Sequence, residues 1–246
     1  APETSLTLGD ATLRTMQRNP ELQVFRWRFQ ALDGQRYTAD QAPAWSVGLD
    51  SENMLGSGDY SAFDSAEFTL SLSSVIELGG KRGARIGVAD ANRSMVDADL
   101  DLRRQGLRAD VIQEFFAALR AQEGMRLAEA SLSLAERAAK VADAQVDAGK
   151  VSPVEATRAD MQLATVQLDL RRARQEWDNA RQMLARLLGT DAPEFGSLLG
   201  SFEHLPDVPS ESALLARVRE SADMRRALRQ VALSEAELGL QRSQRY

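Results

Sequence analysis

The sequence predicts a mainly α-helical fold: one long antiparallel coiled-coil hairpin, shorter helices at its base, and a single pair of β-strands. Three observations predict it. Between Leu100 and Leu187, apolar residues recur at the steps of three, four and seven that mark helices packed at a shallow angle. A glycine–proline turn interrupts that stretch. Two short segments, one at Trp45, Val47 and Leu49 and one at Phe68, Leu70 and Leu72, change to strict alternation.

The turn is the most specific local signal. In Gly149-Lys150-Val151-Ser152-Pro153 the glycine suits the left-handed conformation that ends a helix. Ser152 then serves as an N-cap, Pro153 as the first helical residue, and Glu155 at N3 completes a Ser-x-x-Glu capping box. Val151 and Ala156 occupy the two staple positions. One helix therefore stops and another starts within a few residues. On the first arm the inward stripe is expected at Leu100, Leu107, Val111, Phe115, Ala118, Met125, Leu132, Ala135, Ala139, Ala142 and Val146. On the second it is expected at Val154, Met161, Ala164 and Leu168, then Trp177, Ala180, Leu184 and Leu187. At about 1.5 Å per residue the first arm reaches roughly 100 Å. A rod of that length has to project from a chain of this size.

In chain order, Thr7 opens a short helix with Asp10 in its first turn and Leu8, Ala11, Leu13 and Met16 for its apolar face. Asn19-Pro20-Glu21 breaks it and opens a second, running to about Asp40, with Leu22, Phe25, Phe29 and Leu32 on one side. The two alternating segments follow, each of roughly ten residues, joined by a turn-rich stretch around Gly56-Ser57-Gly58-Asp59-Tyr60. One face is apolar and aromatic, the other small and polar. That pattern fits a lipid-crossing strand pair, but alternation is a weak membrane signal, and by itself it favours a soluble hairpin laid on the helices. Glu77-Leu78-Gly79-Gly80-Lys81-Arg82 leads into the long hairpin. Its Gly-Gly-Lys is no phosphate loop, because Arg82 stands where Ser or Thr is required. Gly189 ends the hairpin, a loop with several prolines and glycines follows, Ser210 caps a short helix, and Ala222 to Tyr246 is helical again. The expected regions are therefore 1–43, 44–79, 80–189 and 190–246.

The last region repeats the first. A shift of 202 residues places Ala213 on Ala11, Leu215 on Leu13, Val218 on Met16, Asp223 on Glu21 and Met224 on Leu22. The same shift sets Tyr246 opposite Ala44, just before the first strand. The chain reads as one repeat and the opening of a second, so the natural protein is expected to run to about 400 residues.

Composition narrows the function. At 246 residues and 27.0 kDa the chain is 43% hydrophobic and only 6% aromatic, as suits Ala- and Leu-rich helices. A net charge of -6 and a pI near 5.1 argue against nucleic acid as the main partner. The basic runs Lys81-Arg82-Gly83-Ala84-Arg85 and Arg171-Arg172-Ala173-Arg174 read as solvated or ion-paired helix faces. With no cysteine there are no disulfides and no thiolate metal sites or nucleophiles. No run has the length of a membrane-spanning helix, so any passage through a bilayer is by strands. The only histidine, His204, has no partner at metal-ligand spacing, and no Ser-His-Asp or His-Glu-x-x-His arrangement exists. The expectation is no catalytic residue, no bound metal and no cofactor, with Met125 and Met161 in the core.

The order of short helix, helix, strand, strand and long helix pair, followed by the start of a second copy, resembles the TolC family of outer-membrane efflux channels. The Glu77–Arg82 junction and the Gly149–Pro153 tip most resemble its heavy-metal (cobalt-zinc-cadmium) branch. The resemblance implies a homotrimer whose strand pairs close one β-barrel in the outer membrane, with Trp45, Val47, Leu49, Phe68, Leu70 and Leu72 facing lipid. Closure also removes strand edges that lipid cannot satisfy. It implies that region 80–189 is the periplasmic tunnel, with 1–43 at its base and most of this chain in the periplasm. The tip residues Asp147, Gly149, Lys150, Val151, Ser152, Pro153 and Glu155 are then expected to meet a periplasmic adaptor coupled to an inner-membrane RND pump. The channel itself does no covalent chemistry, and this stretch alone is not expected to close a barrel. The rival reading is a soluble periplasmic coiled-coil scaffold, or the adaptor itself. An adaptor, however, carries Gly-rich β-domains on both sides of its hairpin, where helices flank this one.

Overall fold

A computed structural model of the chain describes residues 5–52, 66–202 and 207–245. The elements run β1 (Ser5–Thr7), α1 (Leu8–Arg18), α2 (Pro20–Ala39), β2 (Ser46–Glu52), β3 (Glu67–Ser73), α3 (Lys81–Asp147), α4 (Pro153–Leu187), β4 (Ser197–Leu199), α5 (Glu211–Arg219) and α6 (Ala222–Ser243). The chain divides into two compact units. One comprises Ala1–Phe25 with Leu100–Ala222, the other Arg26–Asp99 with Asp223–Tyr246.

The first unit holds the hairpin. Its core gathers Leu6 of β1, Ala11 of α1, Val111, Phe115, Ala118 and Leu119 of α3, and Trp177 and Leu184 of α4, closed by Leu188, Phe195 and Leu198. α1 starts where expected, with the Thr7 hydroxyl accepting from the Asp10 N–H at 3.1 Å. Its break is held by Asn19, which is buried. The Asn19 side-chain oxygen Oδ1 accepts from the Glu21 N–H, and its side-chain NH₂ donates to the Leu187 carbonyl at the end of α4. The loop after Gly189 is not featureless: β4 pairs in parallel with β1, Leu6 opposite Leu198. The free side of β4 is satisfied by a side chain. Buried Gln122 of α3 accepts from the Leu198 N–H at 2.8 Å and donates to the Leu198 carbonyl at 3.0 Å, so one amide stands in for a neighbouring strand. Arg181 lies over the Trp177 and Phe195 rings and donates to the Phe195 carbonyl, holding the same loop on α4.

The second unit holds β2 and β3, antiparallel in the register Val47↔Leu72 and Leu49↔Leu70, with parts of α2 and α3 and nearly all of α6. Within it α2 is half-buried at Phe29 and Leu32, and α3 buries Ala89, Met95 and Ala98. Ion pairs bind the helices: Arg36–Asp90 at 2.8 Å, Arg82–Asp40 at 2.8 Å, Arg93–Asp33, and Arg226–Asp99 at 2.6 Å. The basic runs read as ion-paired faces do pair, since Arg172 meets Asp169 and Arg174 meets Glu129. α5, capped by Ser210, and α6 follow each other as α1 and α2 do, with α6 beginning at the position the 202-residue shift gives for α2.

Four expectations need correction. On α1, Leu13 is exposed, and Thr15, one turn after Ala11, takes the buried place. Along α4 the inward stripe is Ala159, Leu163, Val166, Leu170, Ala173 and Trp177, while Val154, Met161, Ala164 and Leu168 are all exposed. The arm carries two apolar stripes at heptad spacing, and the small-residue stripe with Leu163 and Leu170 is the one that faces α3. Met161 is therefore not a core residue, whereas Met125 packs on the core. Finally, Trp45, expected to open the first strand, lies just before β2. The turn around Gly56–Tyr60, and His204, lie outside the described residues.

Candidate functional site

Two places carry the residues singled out from the sequence, and each is built by local rules. At the hairpin tip, Gly149 has φ +66°. Its N–H donates to the Val146 carbonyl, and the Lys150 N–H donates to the Gln145 carbonyl, the paired bonds of a Schellman ending. Ser152 caps α4, its hydroxyl accepting from the Val154 N–H at 3.3 Å, with Pro153 at the first helical position. The expected capping box does not form: the Ser152 hydroxyl takes the Val154 N–H, and the Glu155 N–H donates to the Ser152 carbonyl. The Glu155 carboxylate accepts from Arg158 at 2.9 Å, because a guanidinium one turn on outcompetes a backbone N–H for it. Val151 and Ala156, the staple positions, are half-buried. Asp147, Gly149, Lys150, Ser152, Pro153 and Glu155 are exposed. The tip is thus a capped turn presenting Asp147, Glu155 and Lys150 to solvent.

Behind it runs a groove of about 760 Å³ whose lining includes Leu134, Val141 and Val151, with Arg137, Glu155 and Arg158. Leu127, Leu134 and Val141 form a second apolar stripe on α3, between 57% and 70% exposed, and Val154, Met161 and Leu168 form one on α4. Sequence reasoning missed the α3 stripe. Its signal, a leucine, leucine and valine at successive sevens, lay beside the stripe that was read.

At the strand pair the register puts Val47, Leu49, Leu70 and Leu72 on one face with Phe68, and every one of them is at least 62% exposed. Trp45, outside the ladder, is equally exposed. The opposite face is polar: Ser46 stands against Ser73, Gly48 against Ser71, Asp50 against Thr69 and Glu52 against Glu67. At the foot of β3, the Arg85 guanidinium binds the Glu77 carboxylate and holds it below the usual carboxylate range, and the same contact raises Arg85.

A second concavity, of about 460 Å³, lies where Asn19 and Glu21 meet Asp110, Glu114 and Arg186. Arg103 faces Glu21 at 2.5 Å and Asp110 at 3.8 Å, and Glu21 raises the Arg103 pKa. Glu21 and Asp110 are thus both engaged by one guanidinium. Among the described residues no group of three His, Cys, Asp or Glu is placed to hold a metal ion, and no helix is long and apolar enough to cross a membrane.

Comparison with known proteins gives the class. Residues 14–190 match the family model described as outer membrane efflux protein, so the chain belongs to that family, one of transport channels rather than of enzymes. Over 178 residues it is 36% identical to the cobalt-zinc-cadmium resistance protein CzcC of Cupriavidus metallidurans. That match covers 72% of this chain and 43% of the relative. Its fold is that of the Campylobacter jejuni CmeC outer membrane channel (TM-score 0.74, 15% identity, covering 96% of this chain and 53% of that one). It is likewise that of the outer membrane protein VceC of Vibrio cholerae (TM-score 0.68, 17% identity, covering 97% and 59%). The chain thus spans about half the length of the proteins it matches. The expected partial TolC-like fold, mainly α with the β2–β3 pair, is observed, and the short parallel β1–β4 pair is an addition not expected from the sequence.

Proposed function

We propose that the protein is the outer-membrane channel of a tripartite RND-type efflux system and exports heavy-metal cations. The observation that carries this reading is the strand pair. A soluble hairpin would lay its apolar face on the helices, yet Val47, Leu49, Phe68, Leu70 and Leu72 lie open. Together with membership of the efflux family, that open face is best matched by lipid. The polar face then lines the conduit, where Asp50, Glu52 and Glu67 favour cations over anions. The likeness to a cobalt-zinc-cadmium resistance protein supports the same cargo.

The outward stripes on α3 and α4 support assembly as a homotrimer, since apolar heptads that α3 and α4 do not bury against each other suit neighbouring hairpins. The tip, Asp147 to Glu155, is the proposed seat of the periplasmic adaptor, through which the inner-membrane pump is coupled. Most of the described chain is then periplasmic, with 44–79 in the outer membrane, 80–189 as tunnel, 1–43 at its base, and 190–246 a linker and the start of a second repeat. The channel acts as a conduit, without covalent chemistry.

The test uses the protein as its host makes it. Fractionation is expected to place it in the outer membrane, detergent extraction to yield a heat-resistant trimer, and planar bilayers to show ion conductance. A monomer or dimer that never partitions into membranes overturns the proposal in favour of a soluble coiled-coil scaffold.

A further inference from the structure

We propose that alternating charges on α2 and α3 form a register lock that sets the height at which the two strands leave their helices. In the second unit α2 buries little: from residue 26 onward only Phe29, Leu32 and Ala39 are half-buried, and none is fully buried. What joins it to α3 is a charge ladder. α2 presents Asp33 and Arg36, with Asp40 just past its end, and α3 presents Arg93, Asp90 and Arg82 opposite them. Signs alternate along each helix and complement across the pair. Arg82 reaches one Asp40 oxygen with two nitrogens, at 2.8 and 3.1 Å, and Arg93 also lies 5.2 Å over the Phe29 ring.

The alternation forbids slippage in either direction. Sliding α2 one turn one way brings Asp33 against Asp90. Sliding it the other way brings Arg36 against Arg93 and Asp40 against Asp90. Each like-charge meeting is unfavourable, whereas a single-sign stripe against its opposite would tolerate the shift. Arg85 adds a fixed stop beyond the ladder. It donates to the carbonyls of Ala39 and Gln41 at the end of α2 while binding Glu77, the residue that leads from β3 into α3.

The consequence falls on the strands. α2 feeds β2, and β3 feeds α3. One helical turn is about 5.4 Å and one strand residue about 3.4 Å, so a slipped helix pair cannot be matched by whole two-residue steps of the ladder. A one-residue slip of β2 along β3 would set Val47 and Leu49 on the face opposite Leu70 and Leu72, among the polar residues. The lock thereby protects the facing of the strand pair, and it holds whatever that pair is exposed to.

The absence of cysteine makes the test clean. Nitroxide labels are placed through Gln35→Cys on α2 and Gly87→Cys on α3. Both sites are exposed, and an added Cβ at Gly87 meets open space. The doubly labelled protein is diluted with the cysteine-free parent so that each pair reports one chain, and double electron–electron resonance gives the distance. The parent is expected to show one narrow distance. Asp90→Arg, which faces Arg36, should broaden it or move it by up to about 5 Å, and adding Arg36→Asp should restore it. In 1 M salt, where screening acts beyond about 3 Å, the parent itself should broaden. An unchanged distance in Asp90→Arg with helix content intact, or no recovery in the swapped pair, overturns the lock. If Asp90→Arg does not fold, the salt series on the parent decides: an unchanged distribution overturns the proposal.

Discussion

The base of the hairpin and its arms share two helices, yet they are packed on different terms. At the base, Leu107, Val111, Phe115, Ala118, Leu119 and Leu184 are each at most 1% exposed, because β1, β4 and α1 add layers around α3 and α4. Beyond Met125 on α3 and before Leu170 on α4, Ala139 is the one buried residue, while Leu127, Leu134, Val141 and Met161 lie open. The base is complete within one chain, whereas the arms carry more apolar surface than two helices can cover. That difference teaches where stability resides and where assembly is expected. Phe115→Ala should destabilise the chain by about 3–5 kcal/mol, the usual penalty for emptying a closed aromatic site. Leu134→Ala should stay within about 0.5 kcal/mol in dissociated protein. Chemical denaturation of both variants checks the contrast, and equal losses would break it.

A polar counterpart sharpens the same contrast. Gln122 is the buried side chain that closes the edge of β4, and Gln122→Leu leaves the N–H and carbonyl of Leu198 without their partner. A loss of about 2–4 kcal/mol is expected, with faster amide exchange at Leu198. Gln145→Leu, on the exposed arm near the tip, should change little by the same measurements.

The two helix-ending glycines set base against tip at matched geometry. Gly149 and Gly189 both have positive φ, +66° and +78°, and both close Schellman endings. An added Cβ at Gly149 meets open space, whereas at Gly189 it would lie 2.6 Å from the Arg18 carbonyl oxygen. Gly149→Ala should therefore cost about 1 kcal/mol from backbone strain alone, and Gly189→Ala at least twice that. Thermal melts of the pair test whether the base is as tightly closed as its burial indicates.

The same contrast explains what was legible in the sequence. Helix ends written in local chemistry, such as Thr7, Asn19-Pro20, Gly149 to Pro153, Gly189 and Ser210, could be placed to within a residue or two. The strand faces were legible too, since alternation alone assigns Val47, Leu49, Leu70 and Leu72 to one side. What escaped depended on partners distant in sequence. β1 and β4 are three residues each and carry no period, they lie far apart in sequence, and the free edge of β4 is closed by Gln122 from mid-chain. On α4, two heptad stripes competed, and side-chain size favoured Val154, Met161 and Leu168 although close helix approach selects Ala159, Leu163 and Val166. Of the candidate site, the tip's residues and turn type were readable. The diverted Glu155 carboxylate was not, because it depends on how Arg158 is placed.

The smallest expected effect lies at the junction below the strands, where stability rests on charge rather than burial. The Arg85 hydrogen bond, ahead of the opposing effect of burial, holds the Glu77 pKa below its ordinary value near 4.5. A carboxyl group whose folded pKa is depressed binds fewer protons folded than unfolded. It therefore contributes stability above the unfolded pKa and loses it as pH falls through the lower, folded value. Near neutrality the contribution is complete, and an acid titration should lose it only from about pH 4.5 downward. Glu77→Gln removes that segment of the acid limb and leaves Arg85 with the Ala39 and Gln41 carbonyls as partners. The parent and Glu77→Gln stability profiles should thus run apart near neutrality and converge in acid. Profiles that stay parallel down to pH 2 would show that the charge of Glu77 does not stabilise this junction, and would leave its hold on α2 to the two carbonyl contacts.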